Sequence, residues 1–127
     1  MATIVLIEDE AVLREVVAHV LQSDGHEVVS FPDARPALDA IDFRTVDLVL
    51  TDLAMPTRGE EAIETLRGGG YEVPIVVLTG VLTEGEEGGL IELGANRVLL
   101  KPVNLSQLLT VIRECLPAEE ELTEQTH

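Results

Sequence analysis

Five side chains in this sequence are of types that could do chemistry together: Glu8, Asp9, Asp52, Thr79 and Lys101. Each stands at or just beyond the end of a short apolar run. Glu8 and Asp9 follow Ile4-Val5-Leu6-Ile7, and Asp52 follows Leu48-Val49-Leu50-Thr51. Thr79 closes the run from Pro74. Lys101, the only lysine in the chain, follows Val98-Leu99-Leu100 and precedes Pro102. A lysine head is a compact point charge suited to one phosphate or carboxylate oxygen. Brought together, three carboxylates repel: two like charges about 4 Å apart cost roughly 1 kcal/mol in water and roughly 4 near a protein surface. One lysine cannot neutralise three acids, but a hard divalent cation could. Mg²⁺ takes oxygen ligands, keeps several waters and typically sits beside phosphate. Asp52 would then be free to act as a carboxylate nucleophile toward a phosphoryl group. Metal and lysine would stabilise the charge spread over the transferring group, and Thr79 could hydrogen-bond one of its oxygens.

Such a site needs elements that bring the five together. The apolar runs are long enough for strands and too short for helices. They are expected at 4–7, 28–31, 47–51, 74–79 and 98–100, the last read as a buried strand. Helical stretches separate them. Val12, Leu13, Val16, Val17, Val20 and Leu21 make one apolar stripe, stopped by Gly25. A short helix is expected from Pro36 to Ile41, with Pro36 in its first turn. Another runs from Glu60 to Arg67, with Ala62, Ile63 and Leu66 facing in, and ends at Gly68-Gly69-Gly70. A weak helix spans about Glu84 to Leu93. Thr83 and Glu86 form a capping box there, but Gly85, Gly88 and Gly89 follow, each helical glycine costing roughly 1 kcal/mol against alanine. The last helix runs from Leu105 to Leu116, capped by Asn104 with Gln107 three residues on and stopped by Pro117. Continuous apolar strands alternating with helices predict a parallel sheet covered on both faces. The crossovers are right-handed, and because the strands are parallel every strand's carboxyl end lies on one edge, where open parallel sheets bind ligands.

The 127 residues suit one domain, 46% hydrophobic yet only 2% aromatic, so the core must be built from Val, Leu, Ile and Ala. No apolar span approaches the roughly 20 residues that cross a bilayer, and Met1-Ala2-Thr3 lacks the basic start of a signal peptide. A cytoplasmic location is the default expectation, with no membrane insertion. The lone Cys115 excludes an internal disulfide framework and a cysteine zinc site; its helical spacing from Leu108 and Ile112 makes it a packing residue. The net charge of −16 repels nucleic acid, so any effect on transcription would pass through a partner. Residues 118–127 are acidic, lack an apolar stripe and are expected to be a disordered tail after a domain over 1–117. His19 and His26 lack the other ligands of a metal site and are read as surface residues.

Four motifs, in order and suitably spaced, make the chain resemble the receiver domain of two-component response regulators from about Thr3 to Leu116: Val5-Leu6-Ile7-Glu8-Asp9-Glu10, Leu50-Thr51-Asp52-Leu53-Ala54-Met55-Pro56, Val77-Leu78-Thr79-Gly80, and Gly94-Ala95 followed by Lys101-Pro102. The resemblance implies a doubly wound five-stranded parallel sheet, flavodoxin-like, in the order 2-1-3-4-5, flanked by about five helices. It implies Asp52 as phosphoacceptor, and Asp9, Glu8, Asp52 and the backbone carbonyl of Ala54 as the Mg²⁺ (or Mn²⁺) site. Thr79 would be the switch hydroxyl and Lys101 the phosphoryl partner, joined to Pro102 by a cis bond. The implied partners are a sensor histidine kinase or histidine phosphotransfer protein and an output protein, with the receiver itself a monomer or weak dimer that catalyses its own phosphorylation and dephosphorylation.

Two departures stand out. The family usually has an aromatic residue at the position of Val98, where its rotamer couples to the switch hydroxyl. The loop Pro56-Thr57-Arg58-Gly59 is one residue shorter than usual, which could set Arg58 over the site entrance. These departures lend weight to a second reading, a degenerate receiver that signals by binding alone. A flavodoxin-type electron carrier is disfavoured because no glycine- or Ser/Thr-rich phosphate loop follows the first strand. A phosphatase with an aspartyl intermediate is disfavoured because Ala54 stands where a second acid is needed. The glycine-rich helix is expected to be mobile until phosphorylation orders it.

Overall fold

The computed structural model describes residues 2–80 and 85–116. Five strands, β1 (Thr3–Ile7), β2 (Glu27–Phe31), β3 (Leu48–Asp52), β4 (Ile75–Thr79) and β5 (Arg97–Leu100), alternate with α1 (Ala11–Ser23), α2 (Ala34–Ala40), α3 (Gly59–Gly68), α4 (Glu86–Leu93) and α5 (Leu105–Cys115). A single 3₁₀ turn at Phe43–Thr45, absent from the sequence reading, precedes β3. The strands pair in parallel in the order β2-β1-β3-β4-β5. The expected capping box at Thr83, the start of its helix at Glu84, the stop at Pro117 and the acidic tail lie outside the described residues.

Successive strand side chains point to opposite faces, so each central strand feeds two cores. Val5, Ile7, Val49, Ile75 and Val77 pack with Ala34 and Ala37 of α2, Ala62, Ile63 and Leu66 of α3, and Leu90 of α4. Ile4, Leu6, Leu48, Leu50, Val76 and Leu78 pack with Val17 and Leu21 of α1 and Leu108, Val111 and Ile112 of α5. Every residue of β3 and β4 is buried because helices cover both faces. Each fully buried aliphatic side chain contributes about 1.5–3 kcal/mol, which suffices for a core with so few aromatic rings.

Two apolar patterns are less buried than expected. In α1 the row Leu13, Val17, Leu21 faces the sheet, whereas Val12 is 73% and Val16 42% exposed. One row of a helix lying on a sheet can face inward, and the neighbouring row stays at its flank. In β5 only Leu99 is buried, Val98 is half-buried, and Leu100 is 54% exposed, because β5 is an edge strand. Asn104 caps α5 by accepting from the Gln107 N–H at 3.0 Å. Gly25, at φ +94°, turns the chain out of α1 as a glycine readily does.

Candidate functional site

The parallel sheet brings the carboxyl ends of β1, β3, β4 and β5 to one edge. The Glu8 N–H donates to the Phe31 carbonyl at 3.0 Å, and the Lys101 N–H donates to the Thr79 carbonyl at 2.8 Å. These bonds hold two site residues just beyond their strands. Asp52 is the last residue of β3, paired in register with Leu78. The Lys101–Pro102 peptide is cis.

Glu8 is 1% and Asp52 4% exposed, deep for two acids. Glu8 Oε2 accepts from the Glu10 N–H at 3.1 Å and from Lys101 Nζ at 3.2 Å. Its Oε1 lies 3.1 Å from the same ammonium, in a geometry that makes no hydrogen bond. Asp52 Oδ1 accepts from the Leu53 N–H at 2.7 Å, and Oδ2 accepts from Lys101 Nζ at 3.3 Å. Asp9 is exposed, yet one carboxylate oxygen from each of Glu8, Asp9 and Asp52 lies within 4.8 Å of the others. Burial, the largest influence on Glu8, raises its pKa above the ordinary 4.5, and the charge of Asp52 adds to this against the Glu10 and Lys101 hydrogen bonds. Burial alone would lower Lys101; the Glu8 hydrogen bond and the charges of Asp52 and Glu8 outweigh it and raise the ammonium above 10.5.

Three carboxylate oxygens within 4.8 Å of one another, with a buried Glu8 oxygen lacking a hydrogen bond, form a donor set that fits a hard divalent cation. Thr79 is buried at the end of β4. Ala54 is exposed two residues beyond Asp52. Val98 packs on the core shared with α4.

Some residues behave differently from expectation. Arg58 turns its guanidinium onto Glu60, 3.2 Å away, and is 75% exposed. The side chain of His26 is only 9% exposed: Nδ1 accepts from the Ala2 N–H at 3.3 Å and Nε2 lies 3.5 Å from Asp24. It therefore belongs to the structure at the far end of the sheet rather than to an open surface. Three contributors near the site escaped the sequence reading. Arg14 donates from Nη1 to the Glu8 carbonyl at 2.7 Å. Asp33 accepts from both the N–H and the hydroxyl of Thr57 at 2.8 and 2.7 Å. A Cβ added to Gly59 would stand 2.4 Å from the Asp52 carbonyl oxygen. The Pro56-Thr57-Arg58-Gly59 run marked the loop but gave no sign of that approach.

The response regulator receiver domain family matches residues 4–113. The chain belongs to this family. Among curated relatives, the alkaline phosphatase synthesis transcriptional regulatory protein SphR of Synechococcus elongatus is 37% identical over 123 residues, covering 89% of this chain and 48% of the relative. The transcriptional regulatory protein CpxR of Escherichia coli is 32% identical over 117 residues, covering 91% and 50%. The chain spans about half the length of the curated relatives it matches. Among solved structures, the chemotaxis protein CheY4 of Vibrio cholerae superposes with a TM-score of 0.84 at 30% identity, covering 91% of this chain and 99% of that one. The BeF3-activated receiver domain of Klebsiella pneumoniae RstA gives 0.80 at 30%, covering 87% and 95%. The receiver fold and its order 2-1-3-4-5 are those expected from the sequence. No helix among the described residues is long and apolar enough to cross a membrane.

Beside the receiver's acidic cluster a cavity of about 620 Å³ opens between α1 and the start of α5, lined by Glu10, Leu13, Val16, Lys101, Pro102 and Val103. It gives Lys101 a wet, accessible side next to the buried carboxylates.

Proposed function

We propose that this receiver takes a phosphoryl group onto Asp52 from the phosphohistidine of a sensor histidine kinase or histidine phosphotransfer protein, and passes the signal on by protein–protein contact in the cytoplasm. The supporting observation is Asp52 itself: a buried carboxylate whose Oδ1 is held by the Leu53 N–H while Oδ2 faces Lys101 at 3.3 Å. Held this way, Oδ2 is the oxygen that would attack phosphorus. The P–N bond to the donor imidazole breaks, the imidazole leaves with that electron pair as a neutral ring already protonated at its other nitrogen, and an acyl phosphate remains on Asp52. Water attacking the same phosphorus breaks its bond to the Asp52 oxygen, releasing inorganic phosphate and a proton and returning the carboxylate. Lys101 would follow the developing negative charge and then pair with the phosphoryl group. The Thr79 hydroxyl would donate to one of its oxygens.

Glu8, Asp9, Asp52 and the Ala54 carbonyl would hold Mg²⁺ or Mn²⁺. Such an ion neutralises phosphoryl oxygens in the transition state. The cavity beside Lys101, flanked by the exposed Val16, would admit the donor imidazole and the apolar surface around it.

The test is incubation with a small phosphodonor and Mg²⁺. An acid-stable, base-labile phosphoryl group that is absent from Asp52→Asn supports the reading. No modification, or modification that survives the substitution, rejects it. The second reading, a phosphorylation-independent interaction module, has Val98 in its favour, since no aromatic ring stands there to report the state of Thr79. It would show unchanged partner binding in Asp52→Asn.

A further inference from the structure

The receiver's β3–α3 loop carries Ala54, and it is short. Leu53 to Arg58 must leave the buried end of β3, pass the acidic cluster and enter α3. At its far side Gly59 is wedged against β3: its N–H donates to the Leu53 carbonyl at 3.0 Å, and no side chain could fit against the Asp52 carbonyl there. Within the loop Met55 is buried and Pro56 is exposed. The remaining tie comes from outside. Thr57 reaches across to Asp33, the residue that precedes α2, with its N–H donating to Oδ1 at 2.8 Å and its hydroxyl donating to Oδ2 at 2.7 Å. Both oxygens of one carboxylate are thus committed to one loop residue 24 positions away. Burial alone would raise the Asp33 pKa, but the hydrogen bonds from Thr57, together with those from the Ala34 and Arg35 backbone N–H groups, outweigh it and hold the group below 3.8, so the acceptor stays ionised at neutral pH. Arg35 of α2 pairs with Glu61 of α3 close by, but that pair joins helix to helix and leaves the loop untouched.

We propose that the Asp33–Thr57 pair is a positioning element for the divalent-cation site, fixing the shortened loop so that the Ala54 carbonyl is presented to the cluster of Glu8, Asp9 and Asp52. The inference rests on the metal reading given under Proposed function. Neither residue touches the ion. They act through the backbone between Thr57 and Ala54, three residues apart, in a loop that Gly59 anchors two residues beyond Thr57. With six residues between β3 and α3, the loop has little room to absorb the loss of an anchor by rearranging locally.

Calorimetric titration of Mg²⁺ into the full chain, on wild type, Thr57→Val, Thr57→Ser, Asp33→Ala and Arg35→Ala, tests this. Valine keeps the branched shape and removes the hydroxyl; serine restores it. Supporting groups around metal ligands typically change affinity by about 10–100-fold, and the lower end is expected here because Met55 and Gly59 still hold the loop. Thr57→Val and Asp33→Ala should weaken Mg²⁺ about tenfold, with Thr57→Ser and Arg35→Ala staying within about twofold of wild type. Equal affinity in wild type and Thr57→Val overturns the proposal, as does a Thr57→Ser as weak as the valine or an Arg35→Ala as weak as both. If Asp33→Ala does not fold, the Thr57 pair of variants decides alone. A wild type that binds no Mg²⁺, or whose binding survives Asp9→Ala, overturns the metal reading and this inference with it. A wild type that binds through Asp9 while Thr57→Val is unaffected overturns the positioning role only.

Discussion

Lys101 Nζ lies 3.3 Å from Asp52 Oδ2, so the one lysine of the chain pairs with the residue proposed as phosphoacceptor while also serving Glu8. One ammonium shared by two buried carboxylates is an electrostatic compromise, and deleting it exposes the debt. Removing one partner of a fully buried ion pair costs about 3–5 kcal/mol. Lys101 is 22% exposed on the cavity side, and solvent reduces the effect. Lys101→Ala should destabilise the metal-free protein by about 2 kcal/mol at neutral pH. Adding Asp52→Asn to that background should return about half of the loss, a coupling that a double-mutant cycle in urea reads directly. Strictly additive losses would show that the two groups do not share charge.

Asp9 stands on the exposed side of the same cluster and adds a third negative charge. With metal chelated, Asp9→Ala should raise stability by about 1 kcal/mol, the size of one like-charge contact in high dielectric. In a domain this size that is a rise of roughly 4 °C in melting temperature. Saturating Mg²⁺ should reverse the order, because an ion that binds the folded state stabilises the better binder. A variant that melts lower than wild type in chelator would count against a crowded acidic site.

Gly59 is tied to the geometry of Asp52 by sterics alone. A methyl there would sit 2.4 Å from the Asp52 carbonyl oxygen and 2.9 Å from Leu53 Cα. Both neighbours are backbone, so the strand end must move. Gly59→Ala should destabilise by about 1–3 kcal/mol, the range of overpacked sites. It should also slow phosphorylation from a small donor more than Gly68→Ala, whose added Cβ meets nothing within 4 Å. Equal rates in the two variants would separate the loop from the reaction.

Much of this was legible in the sequence, for physical reasons. An apolar run of four to six residues ending in a polar one marks both a strand and its carboxyl end, so Glu8, Asp52, Thr79 and Lys101 could be placed on one edge once the sheet was read as parallel. Depth within the sheet was harder to read. Val12 and Val16 share the helical spacing of Leu13 and Val17, and only packing decides which row faces in. Leu100 looks like Leu99 in sequence, but an edge strand leaves one of them open. The Asp33–Thr57 and His26–Asp24–Arg113 contacts join elements far apart in the chain, where no periodicity signals a partner.

At the opposite end of the sheet from the acidic cluster, Arg113 of α5 donates to both oxygens of Asp24 at 2.7 and 3.2 Å, and His26 approaches the same carboxylate. The Arg113 hydrogen bond is the largest influence on Asp24 and holds it below its ordinary 3.8. A depressed folded-state pKa means stability that is present above the unfolded value and lost as pH falls through the folded one. Arg113 is 59% exposed, so solvent screens the pair and keeps its contribution small. Asp24→Asn should therefore melt lower than wild type at pH 7, with the gap closing below about pH 4. A gap that persists unchanged into acid would assign the effect to packing instead.

Helix α4 is held to the domain by few buried side chains. Of its residues only Leu90 is buried, it begins after Gly85 at φ +90°, and it carries Gly88 and Gly89 inside. A Cβ at either glycine meets nothing within 4 Å, so packing does not require them. Leu53, next to Asp52, lines a cavity of about 230 Å³ together with Gly89, Leu90 and Leu93. With one buried side chain and two internal glycines, α4 is the element near the site whose order has most room to change. Gly88→Ala with Gly89→Ala should stabilise the protein by up to about 2 kcal/mol, the sum of two helix propensities. Amide exchange in wild-type α4 should be faster than in α5 and should slow when beryllofluoride mimics a phosphoryl group on Asp52. In the double alanine variant α4 should exchange slowly from the start, and the mimic should change it little. Exchange in wild-type α4 as slow as in α5, and indifferent to the mimic, would remove α4 from the signalling path.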